Sequence, residues 1–283
     1  MKEFRKILGM TQKELKHYTF MQLNSIYKDV ECNKDFVLAK GDIPIMLVAH
    51  LDTVHHLPAK QIVFDRQQRL MWSPQGIGGD DRCGIYSILS IVRKGFRPYV
   101  LFTTDEEIGG VGATAFTKAY PQLPFKLKYI VELDRRGKDD CVFYDCGNDE
   151  FMRYVQSFGF KEEYGTFSDI SILSPQYDVA SVNLSIGYYS EHTKTETINI
   201  GHMFATMFKV IKMLKDEQSC PYFDYQEIDL GWWYQNYKSK RLGNTLQSSN
   251  NTSPMIQNYT YEDVFGLEEL EIGECEVLKG IDI

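Results

Sequence analysis

Five short polar runs in this sequence hold side chains of the types that bind cations and move protons: His50 and Asp52 in AHLDTV, Asp80 and Asp81 in GIGGDDRCG, Glu106 and Glu107 in TTDEEIGG, Asp134 in VELDRRG, and His192 in SEHTKTE. Each run alone has an ordinary structural explanation. A histidine after a strand is usually a satisfied structural residue, and an acidic pair is usually a solvated turn. The set taken together is different. Several carboxylates and imidazoles gathered at one place would repel one another and be costly to desolvate unless a cation neutralised them. Mixed nitrogen and oxygen donors suit zinc or another first-row divalent ion.

Whether these runs meet depends on the elements that carry them. IPIMLV, residues 43–48, is too short for a buried helix and reads as a strand covered on both faces, ending at His50. Tyr99 to Phe102 is a second such strand, ending in TTDEE, and KYIVELD is a third, ending at Asp134. Residues 61–73 read as a hairpin around DRQQR, and 80–93 as a helix with an acidic first turn. Further helices are predicted near 112–120, 149–158 and 200–215, a strand near 179–187, and two short helices within the first thirty residues. This alternation predicts an α/β fold: a single three-layer domain with a mostly parallel central sheet flanked by helices. In such sheets ligands bind beyond the carboxyl ends of the strands, which brings His50, Asp105 to Glu107 and Asp134 to one rim.

Composition narrows the function. The chain has 283 residues, 43% hydrophobic and 25% charged, enough for a sizeable core, and its net charge of −8 without a basic cluster argues against nucleic acid as a partner. No apolar run is long enough for a membrane span, and the charged start MKEFRKILGMTQKELKHY does not read as a signal peptide, so a cytoplasmic location is expected. Six cysteines without a C-x-x-C pair indicate neither a disulfide framework nor a cysteine zinc site. The domain reading is a catalytic unit over 1–215 and an extension over 216–283, aromatic at 221–237, polar at 243–254, and carrying eight acids against one lysine over 259–283. That tail reads as a solvated segment or as a surface for a partner or for self-association.

The ordered set from Ile43 to His192 resembles the co-catalytic di-zinc exopeptidases and related amidohydrolases, and implies a zinc-exopeptidase-like (phosphorylase/hydrolase-like) fold. The resemblance implies two divalent ions, zinc first, with cobalt or manganese as alternatives. One ion would be held by His50, Asp80 and Asp134 and the other by Asp80, Glu107 and His192. Asp52 would orient His50, Asp81 would shape its turn, and Glu106 would be the general base for hydrolysis of a peptide or small amide. The 30 positions from His50 to Asp80 and the 58 from Asp134 to His192 leave no room for the extra domain that larger members insert, so a compact, single-domain, aminopeptidase-like type is expected.

The substrate side of this reading stays open. Glu191 stands where some compact members have a tyrosine, with Tyr188 and Tyr189 as nearby replacements for stabilising an oxyanion. Arg135 and Arg136 either bind a substrate carboxylate or pair at the surface, and Asp169 either meets a free amino group or belongs to a helix N-cap made by Ser168 or by Asp169 itself. His55 and His56 read as loop histidines, and His17 and His202 as structural ones. Besides a terminal peptidase, the same scaffold would serve an N-acyl amidohydrolase or deacylase, a carboxypeptidase, a one-metal cyclase, or a binding module without catalysis.

Overall fold

The computed structural model describes residues 1–228; the polar linker, the acidic run and the part of the aromatic segment from 229 onward lie outside the described residues. The chain begins with α1 (Lys2–Leu8) and α2 (Gln12–Asn24). A capping box starts α2, the Glu14 amide donating to the Thr11 hydroxyl while the Thr11 amide donates to the Glu14 carboxylate. There follow β1 (Val30–Cys32), β2 (Phe36–Ala39), β3 (Ile43–His50), the hairpin β4 (Val63–Asp65) and β5 (Leu70–Trp72), α3 (Gly79–Arg93), β6 (Pro98–Thr103), α4 (Val111–Ala119) and β7 (Tyr129–Arg135). The remainder comprises β8 (Asp140–Val142), α5 (Asp149–Ser157), β9 (Lys161–Glu162), α6 (Ile170–Tyr177), β10 (Ser181–Ser185), β11 (Tyr188–Tyr189), β12 (Thr197–Asn199) and α7 (Ile200–Lys215).

Eight strands make one sheet in the order β1-β2-β6-β3-β7-β10-β8-β9. Its centre, β6-β3-β7-β10, is parallel, while β2 and β8 join it antiparallel. The reason lies in the pattern of β3. Ile45, Leu47 and Ala49 point into a core shared with α1, α3 and α7, and Met46 and Val48 point into a second core shared with α4 and α6. A strand buried on both faces needs apolar residues at both parities, which is why its sequence does not alternate. Helices on both faces give the three layers that the sequence predicts.

A smaller antiparallel sheet, β11-β12-β5-β4, stands beside the main one. It pairs the hairpin at 63–72 with strands more than a hundred residues later, a partnership no local pattern announces. The loop between β11 and β12 carries His192. Beyond α7 the chain turns back: the Phe223 side chain is buried, its amide donates to Lys128 O and its carbonyl accepts from the Ala180 amide. Among the described residues no helix is long and apolar enough to cross a membrane.

Leu47 is fully buried at the centre of β3. Leu47→Ala is expected to lower the unfolding free energy by about 2–5 kcal/mol, measured by denaturant titration; a loss below about 1 kcal/mol would mean that this core is not packed as described.

Candidate metal centre

The rim at the carboxyl ends of β3, β6 and β7 is organised first by Asp52. Its Oδ1 lies 3.2 Å from His50 Nδ1 and accepts the Glu106 amide at 3.1 Å, while Oδ2 accepts the Glu107 amide at 3.0 Å. One carboxylate therefore orients the imidazole at the end of β3 and fixes the backbone of both glutamates after β6. Burial alone would raise its pKa, but hydrogen bonds from His50 and from the Glu107 and Glu106 amides hold it down to about 2.

The other face of the His50 ring meets carboxylates: Nε2 is 2.9 Å from Asp80 Oδ1 and 3.4 Å from Asp134 Oδ1. The second oxygen of Asp80 faces a different imidazole, with His192 Nε2 at 3.2 Å, and that same nitrogen is 3.0 Å from Glu107 Oε2. Two groups of donor atoms result, His50-Asp80-Asp134 and Asp80-Glu107-His192, each within 4.8 Å of one another and sharing Asp80.

Asp80 reaches this position from the start of α3, where Gly78 is left-handed at φ 67° and Gly79 is so close to its surroundings that a Cβ would meet that of Tyr188 at 2.9 Å. Asp81 turns the other way, accepting the Gly84 amide at 2.8 Å and the His50 amide at 3.3 Å, so it shapes the turn and ties it to β3. Asp134 is bracketed by Asn183 of β10, which accepts its amide at 2.9 Å and donates to its carbonyl at 2.7 Å, and Tyr188 donates its hydroxyl to Asp134 Oδ1 at 3.1 Å.

The charges at this rim do not balance within the protein. Glu106 is pushed up to about 9, first by burial and then by Asp134, Asp169 and Asp80, which outweigh His50. Glu107 and Asp134 both rise to about 7, again first through burial and then through Asp80. Burial opposes a charge on His50, yet Asp134, Asp52 and Asp80 raise its pKa well above the ordinary value. The nearby Arg82 spends its donors on backbone, Nη1 to Leu51 O at 2.8 Å and Asp52 O at 2.7 Å, and Nη2 to Met10 O at 3.2 Å. Glu107 Oε1 is sealed from water without a partner. A donor set of imidazoles and crowded carboxylates, one with an unused buried oxygen, fits a divalent cation.

A cavity of about 380 Å³ opens over this cluster, lined in part by Glu106, Arg135, Arg136 and Tyr188. Two expected substrate contacts are elsewhere. Asp169 is fully buried, accepts from the Thr103 hydroxyl, and is absent from the cavity wall; it stands at the N-cap position of α6, though its side chain makes no capping hydrogen bond. Tyr189 points away, its hydroxyl 2.6 Å from His202 Nδ1, because successive residues of β11 face opposite sides and Tyr188 takes the inner one. His56 is exposed as expected of a loop residue, whereas His55 is mostly buried against Glu196, Nε2 to Oε2 2.9 Å.

Glu196 is the residue that sequence reading misses. Fully buried, it accepts the Gly78 amide at 2.9 Å and the Asp80 amide at 3.0 Å, so it holds the backbone that presents Asp80. Nothing in an acid four positions after His192, inside the polar run HTKTE, signals that it turns inward. The N-terminal helices are likewise tied to the rim, Gln12 Nε2 donating to Asp105 Oδ1 at 3.0 Å.

No protein-family model and no curated protein matches the sequence. Solved structures do match the fold. An aminopeptidase, PepT, from Bacillus cereus superposes with a TM-score of 0.63 at 14% identity, covering 77% of this chain and 97% of its own. A tripeptidase from Staphylococcus aureus gives 0.63 at 12% identity over 76% of this chain and 97% of its own, and a Zn-dependent exopeptidase from Parabacteroides distasonis gives 0.51 at 15% over 71% and 89%. The fold is zinc-exopeptidase-like. It is shared at identities too low to carry an activity across, so the chemistry must come from the cluster itself.

Removing the Glu196 carboxylate strands the Gly78 and Asp80 amides in a buried setting. Glu196→Ala is expected to cost about 1–3 kcal/mol for each amide left without a partner, read from denaturation midpoints. An unchanged midpoint would show that the two amides find other acceptors.

Proposed function

We propose that this chain is a di-metal hydrolase that cleaves a terminal peptide or amide bond, with Glu106 as general base. The observation that carries the reading is the pair of donor groups sharing Asp80 at the floor of an open cavity. In this reading His50, Asp80 and Asp134 hold one divalent ion and Asp80, Glu107 and His192 the other, zinc being the best fit to the donor types. That the matching folds belong to an aminopeptidase, a tripeptidase and a Zn-dependent exopeptidase supports the substrate class. Bound divalent ions would supply the positive charge that lowers these carboxyl pKa values, polarise a substrate carbonyl and make a water more acidic.

The protein's own residues do the rest. Glu106 is 9% exposed at the cavity wall, and among the described residues no protein group donates to its carboxylate. Its backbone is pinned by Asp52 while its side chain is free to take a proton from water and pass it to the departing amine nitrogen, as the hydroxyl part of that water adds to the carbonyl carbon. Its neighbour Glu107 is turned to His192 instead. Two adjacent glutamates thereby have different surroundings. Tyr188, whose hydroxyl reaches Asp134 at the cavity wall, holds that carboxylate in place.

Metal content by plasma mass spectrometry, with turnover of peptide and N-acyl-amino-acid amide panels on the same samples, tests this. About two zinc per chain and chelator-sensitive hydrolysis are expected; a protein that takes up no metal on reconstitution overturns the reading. Glu106→Gln should reduce turnover by about 10²–10⁴-fold with metal content intact, and loss of metal in that variant would make Glu106 a ligand. His192→Ala should lower occupancy to about one ion per chain; full occupancy would mean that the second donor group is assembled otherwise.

A further inference from the structure

Two arginines share the cavity wall with the acidic cluster, and they are not equivalent. Arg136 is neutralised: its Nη1 lies 2.7 Å from Glu191 Oε1. Arg135 makes no ion pair among the described residues. Its one protein acceptor there is the Tyr164 carbonyl, 3.1 Å from Nη2, and its Nε has no partner at all. Asp140 feels its charge, which lowers that carboxyl against the larger upward effect of burial, but the two form no ion pair. The Tyr164 contact fixes the guanidinium to residues 164–167, which form part of the cavity wall, leaving most of its five N–H donors unused.

The rest of the wall offers no counter-charge to Arg135. The acids facing the cavity are Asp80, Glu107 and Asp134 of the donor groups, Glu106, and Glu191, which is committed to Arg136. Asp169, the carboxylate that would have recognised a free amine, is buried away from the cavity. A planar guanidinium with free donors at the edge of a small cavity is suited to bind a carboxylate through paired charge-assisted hydrogen bonds. The cavity volume of about 380 Å³ lies at the low end for small-molecule sites, so the occupant is short.

We infer that Arg135 selects substrates carrying a carboxylate close to the scissile bond: short peptides read through their free C-terminus, or through an acidic side chain. The inference builds on the hydrolase reading, and its test separates the two. The zinc-loaded full chain is assayed with tri-alanine against its C-terminal amide, and with Ala-Glu-amide against Ala-Gln-amide, which distinguishes the two sources of the carboxylate. Binding of the same four peptides to the Glu106→Gln protein is measured by calorimetry, so that the comparison does not depend on turnover. In at least one pair the carboxylate-bearing member is expected to be favoured about 10–100-fold in kcat/KM and in affinity.

In Arg135→Gln that ratio should collapse to within about 2-fold of unity, while Arg135→Lys, which keeps a point charge without the fork, should retain part of it. A ratio near one in both pairs for the unaltered protein, or an undiminished ratio in a folded Arg135→Gln, overturns the inference. Absence of any hydrolysis would sink the peptidase reading alone, since carboxylate-dependent binding that is lost in Arg135→Gln would still support the role of Arg135.

Discussion

Asp52 makes the contact on which the rest of the rim depends. Its carboxylate touches the ring nitrogen of His50 and two consecutive amides after β6. A strand end and a loop end, 54 residues apart in sequence, are thereby held in one register. If this side chain turned, the imidazole would lose its orientation and Glu106 and Glu107 would lose the backbone geometry that sends their side chains to different neighbours. Because the interaction joins an ionised acid to N–H donors in a buried place, it is of the strong, charge-assisted kind.

Around that anchor the protein concentrates negative charge well beyond what it neutralises itself. Burial first, and then the neighbouring carboxylates, raise the carboxyl pKa values of Asp134 and Glu107 to about 7 and that of Glu106 to about 9. Arg82, buried close by, holds up the loop after β3 rather than pairing with an acid. An arrangement of this type is unfavourable for folding by itself and gives the cluster a high demand for a cation. Fold and chemistry are thus coupled at one place: the parallel sheet supplies the strand ends, and the strand ends supply the charge.

Much of this was legible in the sequence because it is local. The apolar strands ending at His50 and Asp134, the glycines before Asp80 and the adjacent Glu106 and Glu107 all announce themselves within a few residues. The unread parts are those that depend on distant partners. β1 and β2 add an antiparallel edge whose short, irregular runs show no periodicity, and β12 finds β5 across the chain. Glu196 looks like any loop acid until the small sheet folds it under α3. Asp169 and Tyr189 illustrate a related point: a polar or aromatic residue near a motif in sequence need not face it, and burial turns the one and strand parity the other away from the cavity.

The small sheet has a consequence for the order in which the molecule comes into being. His192 and Glu196 lie on the connection between β11 and β12, so the last imidazole of the cluster and the clamp beneath Asp80 arrive together, long after the residues they serve. During synthesis, a nascent chain that has extruded β3, β6 and β7 already possesses His50, Asp80 and Asp134 but lacks the means to hold Asp80 firmly or to complete the second donor group. A truncation product ending before this connection would be an apolar sheet with an acidic rim and no finished site, a fragment with the liabilities of the fold and none of its chemistry.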